Sequence, residues 1–410
     1  MRRLDASLVV ILGGVSAALH VGKLPPALPA LGQALGLTLV QAGFMLSLVQ
    51  LAGMGLGIVV GLAADAAGLK RTMVAGLLIL SAAGFAGGFA QDVPTLLGLR
   101  AAEGFGFLLA SMPAPALVRR LVSQERLAGR LGLWGAYMPL GTALALLAGP
   151  TVIALAGWSA WWWSISTISL GAALWIAMAV DERPQAGDGL AVPEGWSHRL
   201  AQTLSARGPW LVALCFAMYS AQWLAVIGFL PSIYAELGFT GAAAGAATAL
   251  AAAVNIVGNV SAGRLLQRGV APSRLLYAGF AAMALGSVLA FAPLWEGLPV
   301  PLAAVLKYAA VLLFSMLGGL IPGTLFTLAV RLAPGDHTVA TTVGWMQQWS
   351  SLGQFVGPPV VAWLATVSGG WHWSWFVTGC CALAGLVLAH QIQRLLNEAA
   401  CASQRAQAPG

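Results

Sequence analysis

The chain has 410 residues, of which 59% are hydrophobic and 8% charged, with a mean hydropathy of +0.85. Soluble domains carry about 25% charged residues, so a soluble enzyme and a secreted disulfide scaffold are excluded. The net charge of +7 is spread too thinly over apolar sequence to suggest a nucleic-acid partner.

Crossing a bilayer takes about 20 apolar residues in a helix. In chain order, apolar runs of that length fall at 7–30, 40–63, 71–91, 93–118, 130–156 and 158–180. They resume at 209–235, 241–265, 273–293, 299–330, 340–366 and 371–394. None alternates with the period of two expected of a barrel strand. The pattern predicts an all-α integral membrane protein with twelve transmembrane helices in two six-helix bundles. The bundles are expected at 1–180 and 209–396, joined by a cytoplasmic connector at 181–208, with a short tail at 397–410. The first run has a basic flank, Arg2 and Arg3, but no clear small-residue cleavage site, so a retained span is expected. Cys215, Cys380, Cys381 and Cys401 show no metal-ligand spacing. No metal or cofactor is expected, and no hydrolase constellation appears within the spans.

Among the 20 basic residues, all but Lys23, Arg100 and Lys307 lie at a terminus or in an even-numbered connection. The positive-inside rule then places both termini in the cytoplasm. The expected location is a bacterial inner membrane. Trp158, Trp161, Trp162 and Trp163 open the sixth run, and Trp371, Trp373 and Trp375 open the twelfth. Both clusters are expected at the outer interface, where indole rings anchor helices.

Features recur between the halves at roughly 200-residue spacing: Gly61 with Gly263, Gly149-Pro150 with Gly357-Pro358, Pro25 with Pro231, and Arg100 with Lys307. Such repeats are characteristic of transporters built around a central path. The stretch from Gly61 through Asp65 and Gly68 to Lys70-Arg71 resembles the signature loop of the major facilitator superfamily, with Ala66 where a basic residue is common. Arg100 to Gly106 resembles that family's fourth-helix motif, with Glu103 where Gln is common. The resemblance implies alternating access, with Gly61, Asp65, Gly68, Lys70 and Arg71 forming a gating loop. Within the superfamily, residues 20–29 and 132–141 resemble the cyanate and nitroimidazole transporter family, with Lys23 near the position of its usual Arg.

An embedded charge costs about 2.5–3.5 kcal/mol on insertion scales and marks a functional site. Lys23, Arg100 and Lys307 are therefore expected to attract substrate in the outer half of the membrane, with Arg100 and Lys307 facing each other across the path. Glu103, one turn from Arg100, is a proton site or a counter-ion; His20, one turn before Lys23, is a second titratable group or a simple buried partner. Gln347, Gln348, Trp345, Tyr137 and Asn255 are candidate substrate contacts, with helix–helix hydrogen bonding the alternative for the amides. The embedded cations outnumber the acid, so the expected cargo is a small inorganic or organic anion, carried with possible proton coupling by a monomer. The alternative is proton-coupled efflux of a drug or neutral metabolite. The chain has no ATP-binding loop of the GxxxxGK[ST] type.

Overall fold

A computed structural model of the chain describes residues 5–123, 126, 130, 133–181, 196–335 and 338–407, with the side chains of 61–67, 196, 340, 399, 400 and 402–407 outside that description. Among the described residues the regular structure is all helix, joined by short turns, as an apolar environment requires, because backbone groups there must find partners within the chain.

The first span is broken. Helix α1 (Ala6–Gly22) starts where the Asp5 carboxylate accepts the Ser7 amide at 3.0 Å. It stops before Pro25 and Pro26, which have no amide hydrogen to donate. A 3-10 turn at Pro25–Ala27 leads into α2 (Leu28–Leu35), which ends on Gly36 in the left-handed region. The second span also contains a 3-10 turn, Leu48–Gln50, between α3 (Leu39–Ser47) and α4 (Leu51–Ala67). Gly68, with φ 93°, turns the chain into α5 (Leu69–Gly87). Then come α6 (Val93–Ser111) and α7 (Ala114–Leu121).

Helix α8 (Tyr137–Ala179) is 43 residues long and contains two crossings, because Gly157 breaks it with φ 83° and ψ 169°. Its contacts with the first span show the reversal. A Cβ at Gly14, Gly22 or Gly149 would meet Trp134, Thr142 or Pro26 in turn, so the first half of α8 ascends beside α1. Beyond Gly157 the order inverts: Trp161 bonds the Lys23 carbonyl, Ser169 meets His20, and Ile176 packs on Gly13.

The second half begins with the short amphipathic helix α9 (Trp196–Ser205) and continues with α10 (Arg207–Glu236), α11 (Gly241–Gln267) and α12 (Pro272–Phe291). Helices α13 (Val300–Gly318) and α14 (Leu320–Arg331) follow one another in a single span, then α15 (Val339–Ser368) and α16 (Ser374–Gln407). Among the described residues, 10 helical stretches are long and apolar enough to cross a membrane. Counting α8 twice and adding the 30-residue α15, whose glutamines and Pro358-Pro359 lower its hydropathy, gives the twelve crossings.

The two halves meet most tightly at the end away from the chain termini. Leu24, Leu28, Leu31, Met45 and Leu46 from the first half share one buried layer with Ala225, Phe229, Val361, Ala362 and Trp371 from the second. Glycines let the backbones approach: a Cβ at Gly43 would lie 2.8 Å from Pro359 Cα, and one at Gly228 would lie 3.0 Å from Leu46. In a bilayer such contacts are held by packing, since lipid tails are as apolar as leucine. Toward the terminal end the halves wall a cavity of about 150 Å³, while α4 and α15 stay in contact beside it.

The interface-anchor expectation fails for part of each Trp cluster. Trp161 and Trp162 are 3% and 0% exposed and turn into the first bundle, and Trp371 is buried in the inter-bundle layer. Helical spacing sends neighbouring tryptophans to different faces, so a run of them cannot all face the lipid.

Candidate functional site

Four ionisable side chains meet inside the first bundle. Lys23, at the end of α1, and Arg100, on α6, both donate to the carboxylate of Glu103, one turn along α6; the Arg100 contact is 2.5 Å. His20 Nδ1 lies 3.4 Å from the same carboxylate and 3.3 Å from Lys23 Nζ. All four side chains are at most 1% exposed. Two cations thus share one acid, an arrangement whose desolvation cost is offset only by close geometry and further hydrogen bonds.

Those further bonds come from α1 itself, from α3 and from the second half of α8. Arg100 donates to the carbonyls of His20 at 2.8 Å and Met45 at 3.3 Å. His20 Nε2 pairs with Ser169 Oγ at 2.9 Å, and Ser169 pairs with Ser16 at 3.0 Å. The 3-10 turn sends the Ala27 amide to the Leu24 carbonyl, which leaves the Lys23 carbonyl to accept from Trp161 Nε1 at 2.9 Å. Lys23 Nζ also lies 4.7 Å from the Trp162 ring centroid, a cation–π contact of about 0.5–2 kcal/mol. Gly84 makes the room: a Cβ there would approach Glu103 Oε1 to 3.0 Å and His20 Cε1 to 3.1 Å. One guanidinium nitrogen, Arg100 NH2, is buried without a partner.

Lys307 is not part of this cluster. It is exposed, on a stretch of α13 in which no residue before Ala310 is buried, and it does not line the central cavity. The expected opposition of Arg100 and Lys307 across the path is therefore absent. Arg100 turns into its own bundle toward Glu103 and two carbonyls, because a buried guanidinium is stabilised most by an ionised acceptor.

The central cavity is walled by both halves and contains no charged side chain among its described lining residues. Gln50, Gln347, Gln354 and Asn255 contribute amides; Tyr137, Tyr219, Trp134 and Trp223 contribute rings. Trp134 and Tyr137 stack at 4.2 Å. Asn255 is held by the Tyr219 hydroxyl at 3.0 Å and the Ser315 carbonyl at 2.8 Å, and Trp223 donates to Ser315 Oγ at 3.2 Å. Gln50 Nε2 donates to Gln354 Oε1 at 3.0 Å, bridging the two halves at the inner limit of the cavity. Gln347 lines the cavity with no hydrogen-bond partner among the described residues.

Two expected contacts lie elsewhere. Gln348 accepts from the Ile58 amide at 3.4 Å, across the interface between the halves. Trp345 packs with Trp210 at 4.9 Å and Trp349 at 5.9 Å, outside the cavity lining. In the expected gating loop, α4 runs to Ala67 and Gly68 makes the turn. Thr72 Oγ1 donates to the Gly68 carbonyl at 3.0 Å, and Lys70 and Arg71 lie in the first turn of α5. The Gly61 and Asp65 part of that expectation lies where side chains are outside the described residues.

Sequence reasoning found Gln347, Tyr137 and Asn255 but missed Tyr219 and Trp134 as cavity walls. The one sequence signal for Tyr219 is its spacing from Trp223 by one helical turn. It also missed Ser16, Ser169, Trp161 and Trp162 around the charges.

Residues 10–358 match the model of the Major Facilitator Superfamily, and the chain belongs to that family. It is a multi-pass membrane transporter and not an enzyme. A puromycin resistance protein, pur8, of Streptomyces alboniger is 32% identical over 157 residues, 38% of this chain. The match spans 30% of that relative's length. Among solved structures, a bacterial homolog of the human lysosomal transporter Spinster, inward-facing and unoccupied, superposes with a TM-score of 0.74 at 15% identity, covering 95% of this chain and 96% of that one. A D-xylose-proton symporter superposes with a TM-score of 0.73 at 16% identity, over 95% and 96% of the two chains.

Proposed function

We propose that this chain is a secondary transporter of a small, neutral, hydrogen-bonding ring compound, of nitroimidazole-like chemistry rather than a cyanate-, nitrate- or carboxylate-like anion. The observation carrying this reading is the wall of the central cavity, whose described residues offer amides, hydroxyls and aromatic faces but no cation. A cavity of about 150 Å³ has room for one benzene-sized molecule. An anion there would exchange its hydration for neutral donors alone, and that exchange is costly in a low dielectric. The cations that favoured an anion in the sequence are either turned onto Glu103 inside the first bundle or exposed on α13.

In this reading Gln347 is the free amide that greets the cargo, Tyr137 and Trp223 hold its ring, and Asn255, whose amide hydrogens are committed to Tyr219 and Ser315, fixes the Tyr219 hydroxyl at the cavity wall. The Lys23–Glu103–His20 group is the coupling site: loading a proton there changes the charge at the break in the first span. The bundles at 1–180 and 209–396 rock about the cavity, with the connector 181–208 and both termini in the cytoplasm. The resemblance of residues 20–29 and 132–141 to the cyanate and nitroimidazole transporter family supports the same chemistry.

Export is the second reading for direction, favoured by the match to a protein named for puromycin resistance. The deciding experiment is thermal stabilisation of the purified protein by a panel of neutral heterocycles and small anions. Ligand binding raises stability by about 2.7 kcal/mol at 100 times Kd. Neutral ring compounds are expected to protect, with Gln347→Ala abolishing protection and Lys307→Ala leaving it intact. Protection by anions alone, lost in Lys307→Ala, would restore the anion assignment.

A further inference from the structure

A second cavity, of about 610 Å³, lies at the terminal end between the start of α10 and the late part of α16, and shares no lining residue with the central cavity. It is walled by Arg207, Trp210 and Leu211 on α10 and by Arg394, Leu395 and Glu398 on α16. We propose that it binds the headgroup of a phospholipid carrying both a phosphate and a primary ammonium. The phosphate would rest on Arg207 and Arg394, and the ammonium on Glu398.

Three observations lead there. The first is charge: Arg207 and Arg394 are exposed, and neither has an ion-pair or hydrogen-bond partner among the described residues. Guanidinium forks match phosphate oxygens bidentately. Glu398 follows Arg394 by one helical turn and has no partner either, so the cavity presents two cations and one acid rather than a plain basic patch. The second observation is depth. Arg207 opens a candidate span, Arg207–Glu236, and Arg394 lies near the close of another, Trp371–Glu398. Both therefore stand at the level of a membrane surface, where basic pockets between helices recognise lipid heads. The third is polarity: Leu211, one turn deeper than Arg207, adds an apolar wall on the membrane side. The Trp210 indole is fixed by its bond to the Leu204 carbonyl at 2.8 Å. The wall one turn below the arginines pairs Leu211 with the amide of Gln391, so below its ionic mouth the cavity offers both apolar and hydrogen-bonding surface, as the glycerol-ester level of a lipid requires.

The test is native mass spectrometry and thermal stability of the full chain in detergent. The added probes are dioleoyl phosphatidylethanolamine, phosphatidylglycerol and phosphatidylcholine, with soluble glycerophosphoethanolamine as a fourth arm. Phosphatidylethanolamine should be retained about tenfold more strongly than the other two lipids. The double substitution Arg207→Gln with Arg394→Gln should remove that retention while leaving lipid-free stability unchanged, since both side chains are exposed. Glu398→Gln should reverse the order of phosphatidylethanolamine and phosphatidylglycerol. Undiminished retention in the double variant, or an unchanged order in Glu398→Gln, overturns the assignment. Protection by soluble glycerophosphoethanolamine at the same concentration as the lipid would assign the site to a free phosphate compound, and the lipid proposal would fall.

Discussion

Glu103 is the anion that two buried cations share, and its removal should be felt far more than the loss of one surface charge. Breaking a buried ion pair by deleting one partner costs about 3–5 kcal/mol, because the other charge stays behind unpaired. Glu103→Gln should therefore lower unfolding stability by roughly that amount and abolish transport. Adding Lys23→Met to Glu103→Gln should restore part of the stability without restoring transport. Denaturation of the purified variants, read beside vesicle uptake, distinguishes the two effects. If the double variant transported normally, the coupling role would be lost and a purely structural one would remain. The one-turn spacing of Arg100 and Glu103 was legible in the sequence as an available ion pair. The participation of Lys23 was not, because it comes from another helix 80 residues away.

At the scale of elements, the breaks decide more than the helices do. Pro25 and Pro26 end α1 and release the Lys23 carbonyl for Trp161. Gly157 divides α8 in a region of backbone space that is almost exclusively glycine's. A Cβ at Gly157 would meet nothing within 4 Å, so its substitution reports backbone strain alone. Gly157→Ala should cost about 1–3 kcal/mol with ligand affinity unchanged, as thermal melts with and without ligand would reveal. The positions of the crossings were readable from apolar runs, since each must be long enough to span. The sixth run was correctly separated from the fifth at 157. The faces those helices present were less readable: Trp161 and Trp162 have the composition of interface anchors, yet their helix turns them inward.

For the whole molecule, one end is sealed by a layer shared between the halves and the other holds the cavity. The seal depends on close backbone approach at Gly43, where a side chain would collide with the Pro359 backbone. Gly43→Val should therefore disfavour the sealed arrangement. A cysteine placed in that layer, at Leu28, should react several-fold faster with a membrane-impermeant thiol reagent in the Gly43→Val background. Equal labelling rates would mean that the glycine contact does not hold the seal.

By itself, the sequence determined the solvent of this protein, its number of crossings, its internal repeat and its family. These follow from composition and from local length rules that hold whatever the helices pack against. Only the tertiary structure decided which charges matter and to what. Lys23, Arg100 and Lys307 look alike along the chain, each a cation in an apolar helix. One pair finds a carboxylate and its serine and tryptophan neighbours inside the first bundle, while the third stays on an exposed face. Helical periodicity says which residues share a face, but the cost of a buried charge is set by what the opposite helix brings to it. That partner comes from distant sequence, and packing alone selects it.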